Sequence, residues 1–187
     1  MNEKKERILH AAINLFATEG IAVPTARIAK EAGVSNGTLF NNFATKQVLI
    51  DEVYLHIKYK IAKQALSADV SKLSAKDTFF TLWKSYMHWA IANPVENSVG
   101  FLLRSSSVLS AEVVKEAENI FKPTTEKLVE AMERKEIVQA PIDFLCDLAG
   151  AHIMASIAYA TANNLQGEAL LEHINFSFSI YWTGIAR

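Results

Sequence analysis

Apolar residues recur along this chain with the period of a helix. Ile8, Ala11, Ala12, Leu15 and Phe16 fall at i, i+3, i+4, i+7 and i+8 and form one stripe. Gly20, behind Glu19, marks the end of that helix. Pro24 stands where a second helix can begin, because its fixed φ suits a first turn. Thr25, Ile28, Ala29 and Ala32 make a short second stripe that Gly33 ends. Ser35 is a candidate N-cap for a third helix over 36–42, and Thr45 for a longer fourth one carrying Val48, Leu49, Val53, Leu55, Ile57 and Ile61. A Ser-rich stretch at 67–74 reads as a linker. Beyond it the pattern predicts helices over 75–93, 95–105, 111–135, 141–163 and 168–186. Pro94, Pro123 and Pro141 punctuate them, with Pro123 predicting a kink or break inside the 111–135 segment. No run of β-branched residues alternates with polar ones, so the expected fold class is all-α, a small head followed by a larger helical body.

Composition agrees with that class. Half of the 187 residues are apolar, too many for a disordered chain. Seven Gly and four Pro supply too few turns for a β-sandwich. The single Cys146 cannot pair within the chain, which suits a reducing, cytoplasmic setting and predicts a small buried apolar side chain. The residues before the first stripe carry charges of both signs, so no signal-peptide core is expected. Residues 144–162 are long enough for a membrane span, but Asp147 and His152 sit near their middle. A buried helix of a soluble domain is the expected reading, with no membrane partner. The net charge of −1 divides unevenly. Residues 1–60 carry eight basic and six acidic side chains, +2, and the remainder −3. The sign of that asymmetry suits a nucleic-acid partner for the first part, though the excess is small.

The segment 24–43 carries the most specific chemistry. Two short helices meet at Ala32-Gly33-Val34-Ser35, the form of a helix-turn-helix. Small Ala29 and Ala32 permit a close crossing, and Val34 and Leu39 can lock the two helices together. An ordinary helical corner would use the same features. The second helix differs from a merely solvated one, which usually carries Lys and Glu. It offers Ser35, Asn36, Thr38, Asn41 and Asn42, short side chains able to bond base edges or phosphates, and Gly37 permits close approach to a groove.

Ile8-Leu9-His10-Ala11-Ala12 to Leu15-Phe16, Gly20, the run Ile28 to Phe40, Phe43 and Lys46 together resemble the TetR family of bacterial one-component transcription regulators. The resemblance covers about the first 50 residues; the rest is similar only in length and helicity. It implies about nine helices, a three-helix DNA-binding domain over 1–48, and a ligand-binding and dimerisation domain over 49–187. It further implies a homodimer on a near-palindromic double-stranded operator. Carried over by position, Ser35, Asn36, Gly37, Thr38, Phe40, Asn41 and Asn42 would form the recognition helix and its cap. Thr25 and Lys46 would meet phosphates. The family usually has Tyr at Phe40, whose hydroxyl meets the backbone, and often His or Tyr at Asn42, so contacts at both positions should differ here.

Aromatic residues concentrate in 75–105. Most are expected to be core, while Phe79, Trp83, Tyr86, Met87, Phe101, Phe121 and His152 are candidates to line an effector cavity. The small residues of 149–162 and the apolar face Leu170, Ile174, Phe178, Tyr181 and Trp182 suit either an internal core or pairing of the last two helices with a second copy. The five histidines form no recognisable ligand set, and neither a phosphate loop nor a nucleophile elbow occurs. No catalytic residue, metal or cofactor is therefore expected. The expected function is a cytoplasmic transcriptional regulator, a repressor released from its operator by a small apolar or amphipathic molecule. A helical ligand-binding module without DNA binding, or a small all-α enzyme, remains the alternative.

Overall fold

The computed structural model describes residues 3–65 and 72–187. Among them are ten α-helices and no strand, apart from one isolated bridge between Ile137 and Ala186. The helices are α1 (Glu3–Glu19), α2 (Thr25–Glu31), α3 (Asn36–Asn42), α4 (Lys46–Ala65), α5 (Ala75–Ala92), α6 (Pro94–Ser105), α7 (Ala111–Ile120), α8 (Lys122–Glu133), α9 (Ile142–Ala162) and α10 (Gly167–Ile185). Most of the linker expected at 67–74 lies outside the described residues. Ser74, at its end, caps α5 by accepting the Asp77 N–H at 3.1 Å.

The chain forms two compact units, Met1–Lys60 with Asn93–Ile120, and Ile61–Ala92 with Phe121–Arg187. In the first unit α1 packs on α2, α3 and α6. The stripe read from the sequence is its core: Ile8, Leu9, Ala12 and Phe16 are buried, joined by Ile28, Leu39, Phe43, Leu49 and Ile57. In the second unit α5, α8, α9 and α10 pack around aromatic rings.

One expectation is sharpened and two change. The 111–135 segment is two helices, because the chain turns at Phe121, whose carbonyl accepts from Thr124 N and Thr125 N. Pro123 thus sits in the first turn of α8, where its missing N–H costs nothing, and the described residues form ten helices rather than about nine. Residues 144–162 are not a buried helix within the chain. Helix α9 buries one stripe, Leu145, Ile153, Ser156, Ile157 and Ala160, and only 28% of its apolar window. It is long and apolar enough to cross a membrane by length and composition. Cys146 is exposed on α9 rather than buried.

Candidate nucleic-acid interface

The turn between α2 and α3 is built from backbone geometry. Gly33 N donates to the Lys30 carbonyl at 3.1 Å and Val34 N to the Ala29 carbonyl at 3.0 Å, the paired bonds of a Schellman ending. The arrangement places Gly33 at φ +64°, which a side chain would resist. Two carbonyls beyond the helical ladder are taken by a residue from another helix. Arg7 of α1 donates to the Ala32 carbonyl from Nε at 3.0 Å and from Nη2 at 2.6 Å, and Nη2 also reaches the Gly33 carbonyl at 2.8 Å. A guanidinium at a helix C-terminus satisfies orphan carbonyls and opposes the negative end of the helix dipole. The clamp is tight enough that a Cβ at Gly33 would lie 2.7 Å from Nη2.

Helix α3 begins where its sequence predicts. The Ser35 hydroxyl accepts the Thr38 N–H at 3.1 Å and lies 3.0 Å from the Thr38 hydroxyl. The Asn42 amide donates back to the Thr38 carbonyl at 2.8 Å. Ser35, Thr38 and Asn42 are therefore engaged within the helix and its cap. Leu39 is buried and anchors the helix, while Asn36, Gly37, Phe40 and Asn41 are exposed along one side. Among the described residues neither the Asn36 nor the Asn41 amide takes a protein partner. Phe40 is 42% exposed.

Thr25 is half-buried at the first position of α2. Lys46 opens α4, and partial burial holds its ammonium below the ordinary lysine range. Arg27 is neutralised by Glu31 at 2.7 Å and Glu19 at 3.3 Å. An open groove of about 370 Å³ beside Arg7 carries Glu3, Glu6 and Glu31 on its walls. Those carboxylates would repel phosphates, so a polyanion has better access to the α3 side of this unit than to that groove.

The start of α4 is fixed by a second polar device. Asp51, largely buried, accepts from Gln47 Nε2 at 3.0 Å and from Ser110 N at 3.2 Å, while Gln47 also donates to the Val108 carbonyl at 2.8 Å. These bonds staple α4 to the loop between α6 and α7, with Ser107 in left-handed backbone at φ 54°. Lys60 and Glu96 add an ion pair at 2.7 Å.

The candidates for an effector cavity separate. Phe79, Trp83 and Met87 are buried on α5, with Tyr86 half-buried. Trp83 stacks on Tyr181 at 5.3 Å and meets His152 at 5.4 Å and Phe178 at 5.8 Å between ring centroids. Its indole N–H is buried and takes no hydrogen-bond partner among the described residues. Phe121 is half-buried at the start of α8. Phe101 belongs to the first unit and is 53% exposed on α6. On the outer side of α9 and α10, Phe144, Leu148, Tyr159, Phe176 and Ile180 are exposed. The two helices are joined by a Ser156–Ser177 hydroxyl pair and by the Tyr181 hydroxyl, which donates to the Leu145 carbonyl at 3.1 Å.

Sequence reasoning missed Arg7, Gln47 and Asp51. One signal was available for Arg7, since the glycine stop at 33 implies exposed carbonyls in need of a cation. Nothing in spacing alone points from Asp51 to Ser110, 59 residues away.

A family model described as bacterial regulatory proteins, tetR family, matches residues 8–53. An uncharacterised HTH-type transcriptional regulator of Bacillus subtilis, YerO, is 47% identical over 51 residues, which are 27% of this chain and 18% of that protein. The HTH-type transcriptional repressor KstR2 of Mycobacterium tuberculosis is 35% identical over 54 residues, 28% of this chain and 27% of that protein. These matches thus span well under a third of either relative. Similarity over the whole length comes from solved structures. A chain from Shewanella sp. PV-4 assigned to the same family superposes with TM-score 0.89 at 27% identity, covering 98% of both chains. A regulator from Marinobacter aquaeolei VT8 shares the fold with TM-score 0.87 at 18% identity, covering 98% of this chain and 96% of that one.

Proposed function

We propose that the chain is a member of the TetR family of bacterial regulatory proteins, whose model matches residues 8–53, and that it is a sequence-specific, DNA-binding transcriptional regulator. It acts in the cytoplasm as a repressor, not as an enzyme, and leaves a near-palindromic operator when a small apolar or amphipathic molecule binds. DNA binding belongs to residues 1–48, ligand binding and dimerisation to residues 49–187. The reading uses neither metal nor cofactor.

One observation carries this reading: an uncharged seven-residue helix, held by a clamped turn, presents Asn36, Gly37, Phe40 and Asn41 outward. In a helix-turn-helix the second helix enters the major groove and its outward side chains meet base edges. Thr25 and Lys46 are placed at helix starts, where they and the backbone N–H groups can hold phosphates.

Two-fold operators require two copies, and half-sites must lie about 34–36 Å apart. The exposed apolar residues of α9 and α10 support pairing of these helices with those of a second chain. An effector in the second unit would act by preferring a state whose recognition helices no longer match the groove spacing. The buried indole N–H of Trp83, without a hydrogen-bond partner among the described residues, supports an anchor there for a ligand with a hydrogen-bond acceptor.

The test is footprinting of the DNA upstream of the protein's own coding region. Protection of a symmetric site, lost on replacing both Thr38 and Asn41 with Ala while the dimer persists, is the expected result. Full protection by that double variant would remove α3 as the reading element.

A further inference from the structure

We propose that α3 reads A·T base pairs, with the Asn36 and Asn41 amides pairing adenine edges and the Phe40 ring covering thymine methyl groups. The inference rests on the DNA-binding reading above and adds the class of base pair recognised.

Few side chains of α3 can reach a groove, and their chemistry excludes most bases. Guanine is read chiefly by Arg or Lys, bonded to O6 and N7, and cytosine by a carboxylate accepting from N4. Helix α3 is Asn-Gly-Thr-Leu-Phe-Asn-Asn and contains neither type. Ser or Thr can bond any base, but the Ser35 and Thr38 hydroxyls lie 3.0 Å apart and Ser35 also caps the Thr38 N–H. The Asn42 amide is turned back onto the Thr38 carbonyl. What remains outward is two primary amides and one aromatic ring.

A primary amide carries one donor edge and one acceptor edge side by side. That pattern complements adenine, which offers N7 as acceptor and N6 as donor. The Phe40 ring has no hydrogen-bonding atom, and 42% of it remains open to water on the outward side of α3. The one apolar group on a base edge in the major groove is the thymine C5 methyl. Asn36 and Phe40 are four residues apart and Asn41 follows directly, so amide and ring share one side of the helix. Gly37 lies between them without a side chain, which lets that side approach the bases. An amide on adenine beside a ring on thymine matches neighbouring A·T pairs, one read by hydrogen bonds and the next by apolar contact.

The experiment uses the full-length protein and a pool of random-sequence 30-base-pair duplexes. Recovered duplexes are sequenced, and one is then titrated in two forms, with thymidine and with deoxyuridine, which lacks only the methyl group. The expected consensus has A·T pairs at the centre of each half-site. Deoxyuridine should weaken binding about three- to fivefold per contacted methyl, the factor that burying one methyl group carries. Phe40→Ala should bind the two forms equally. Half-sites centred on G·C pairs would overturn the proposal, as would equal affinity of the unaltered protein for both forms, or full methyl sensitivity in Phe40→Ala; all three leave DNA binding intact. Recovery of no sequence by folded, dimeric protein would overturn the DNA-binding reading itself, and this inference with it.

Discussion

Both units of this chain have apolar cores, but the contacts that orient helices beside each core differ in emphasis. In the first, orientation is set by directional polar bonds: Arg7 to the Ala32 and Gly33 carbonyls, and Asp51 to Gln47 and Ser110 N. In the second, rings pack on rings, with Trp83, Tyr181, Phe178 and Trp182 at centroid distances of 5.3–5.9 Å. A hydrogen bond weakens steeply when its angle is wrong, whereas apolar burial is nearly indifferent to direction. The outward faces differ in the same way. Helix α3 shows amides and one ring, while α9 and α10 show Phe144, Leu148, Phe176 and Ile180. Reading a base edge requires orientation; assembly requires area.

The largest effect is expected at the apolar face of α9 and α10 proposed above for pairing. Replacing Phe144 and Phe176 with Asp should weaken the dimer about a hundredfold, roughly 3 kcal/mol, with helix content unchanged. Sedimentation at micromolar concentration checks this, and an unaltered dimer mass would remove α9 and α10 as the seam. Next is Gly33→Ala, which imposes a side chain on φ +64° and pushes against Arg7 Nη2. A loss of about 2 kcal/mol in unfolding free energy is expected by denaturant titration. Arg7→Gln should keep the fold and weaken operator binding about fivefold, near 1 kcal/mol, because its bonds, two part-buried and one exposed, orient the turn rather than support the core. The double variant should lose less stability than the two single losses combined, since the Gly33→Ala clash needs the guanidinium. Strict additivity would mean that Arg7 and the turn are uncoupled.

The smallest effect concerns His56, whose Nε2 is buried and takes no hydrogen-bond partner among the described residues. Burial holds its imidazole below the ordinary histidine range, helped by Lys60 and by His10, whose ring centroid is 6.1 Å away; Glu96 and Glu6 oppose the shift. The unfolded chain therefore takes up a proton near pH 6.5 that the folded one resists, so stability is full above that pH and falls below it. His56→Leu should flatten the decline between pH 6.5 and 5 in thermal unfolding. An unchanged slope would show that another group titrates there.

Much of the first unit was legible because its signals are local. The stripe from Ile8 to Phe16, the stops at Gly20 and Gly33 and the cap at Ser35 each depend on neighbours within a turn or two. The ends expected near 135 and 163 are found as well, although Lys135 and Asn164 stop α8 and α9 in left-handed backbone, at φ 61° and 51°, without being glycine. The break expected from Pro123 falls two residues earlier, at Phe121, through i+3 and i+4 bonds that periodicity does not register. Exposure on α9 was misread for another reason. Apolar periodicity reports that a face will be covered, not whether the same chain covers it, so Phe144 and Leu148 looked like core. On α3 the polar residues were visible, but their division into engaged Ser35, Thr38 and Asn42 and outward Asn36 and Asn41 depends on side-chain bonds.

The most direct test of the account is the mass of the complex formed between this protein and a duplex recovered from the random pool. Two copies of the 187-residue chain per symmetric site are predicted, with half-site centres one helical turn apart, or two pairs where sites overlap. A single copy bound at an asymmetric site would contradict it.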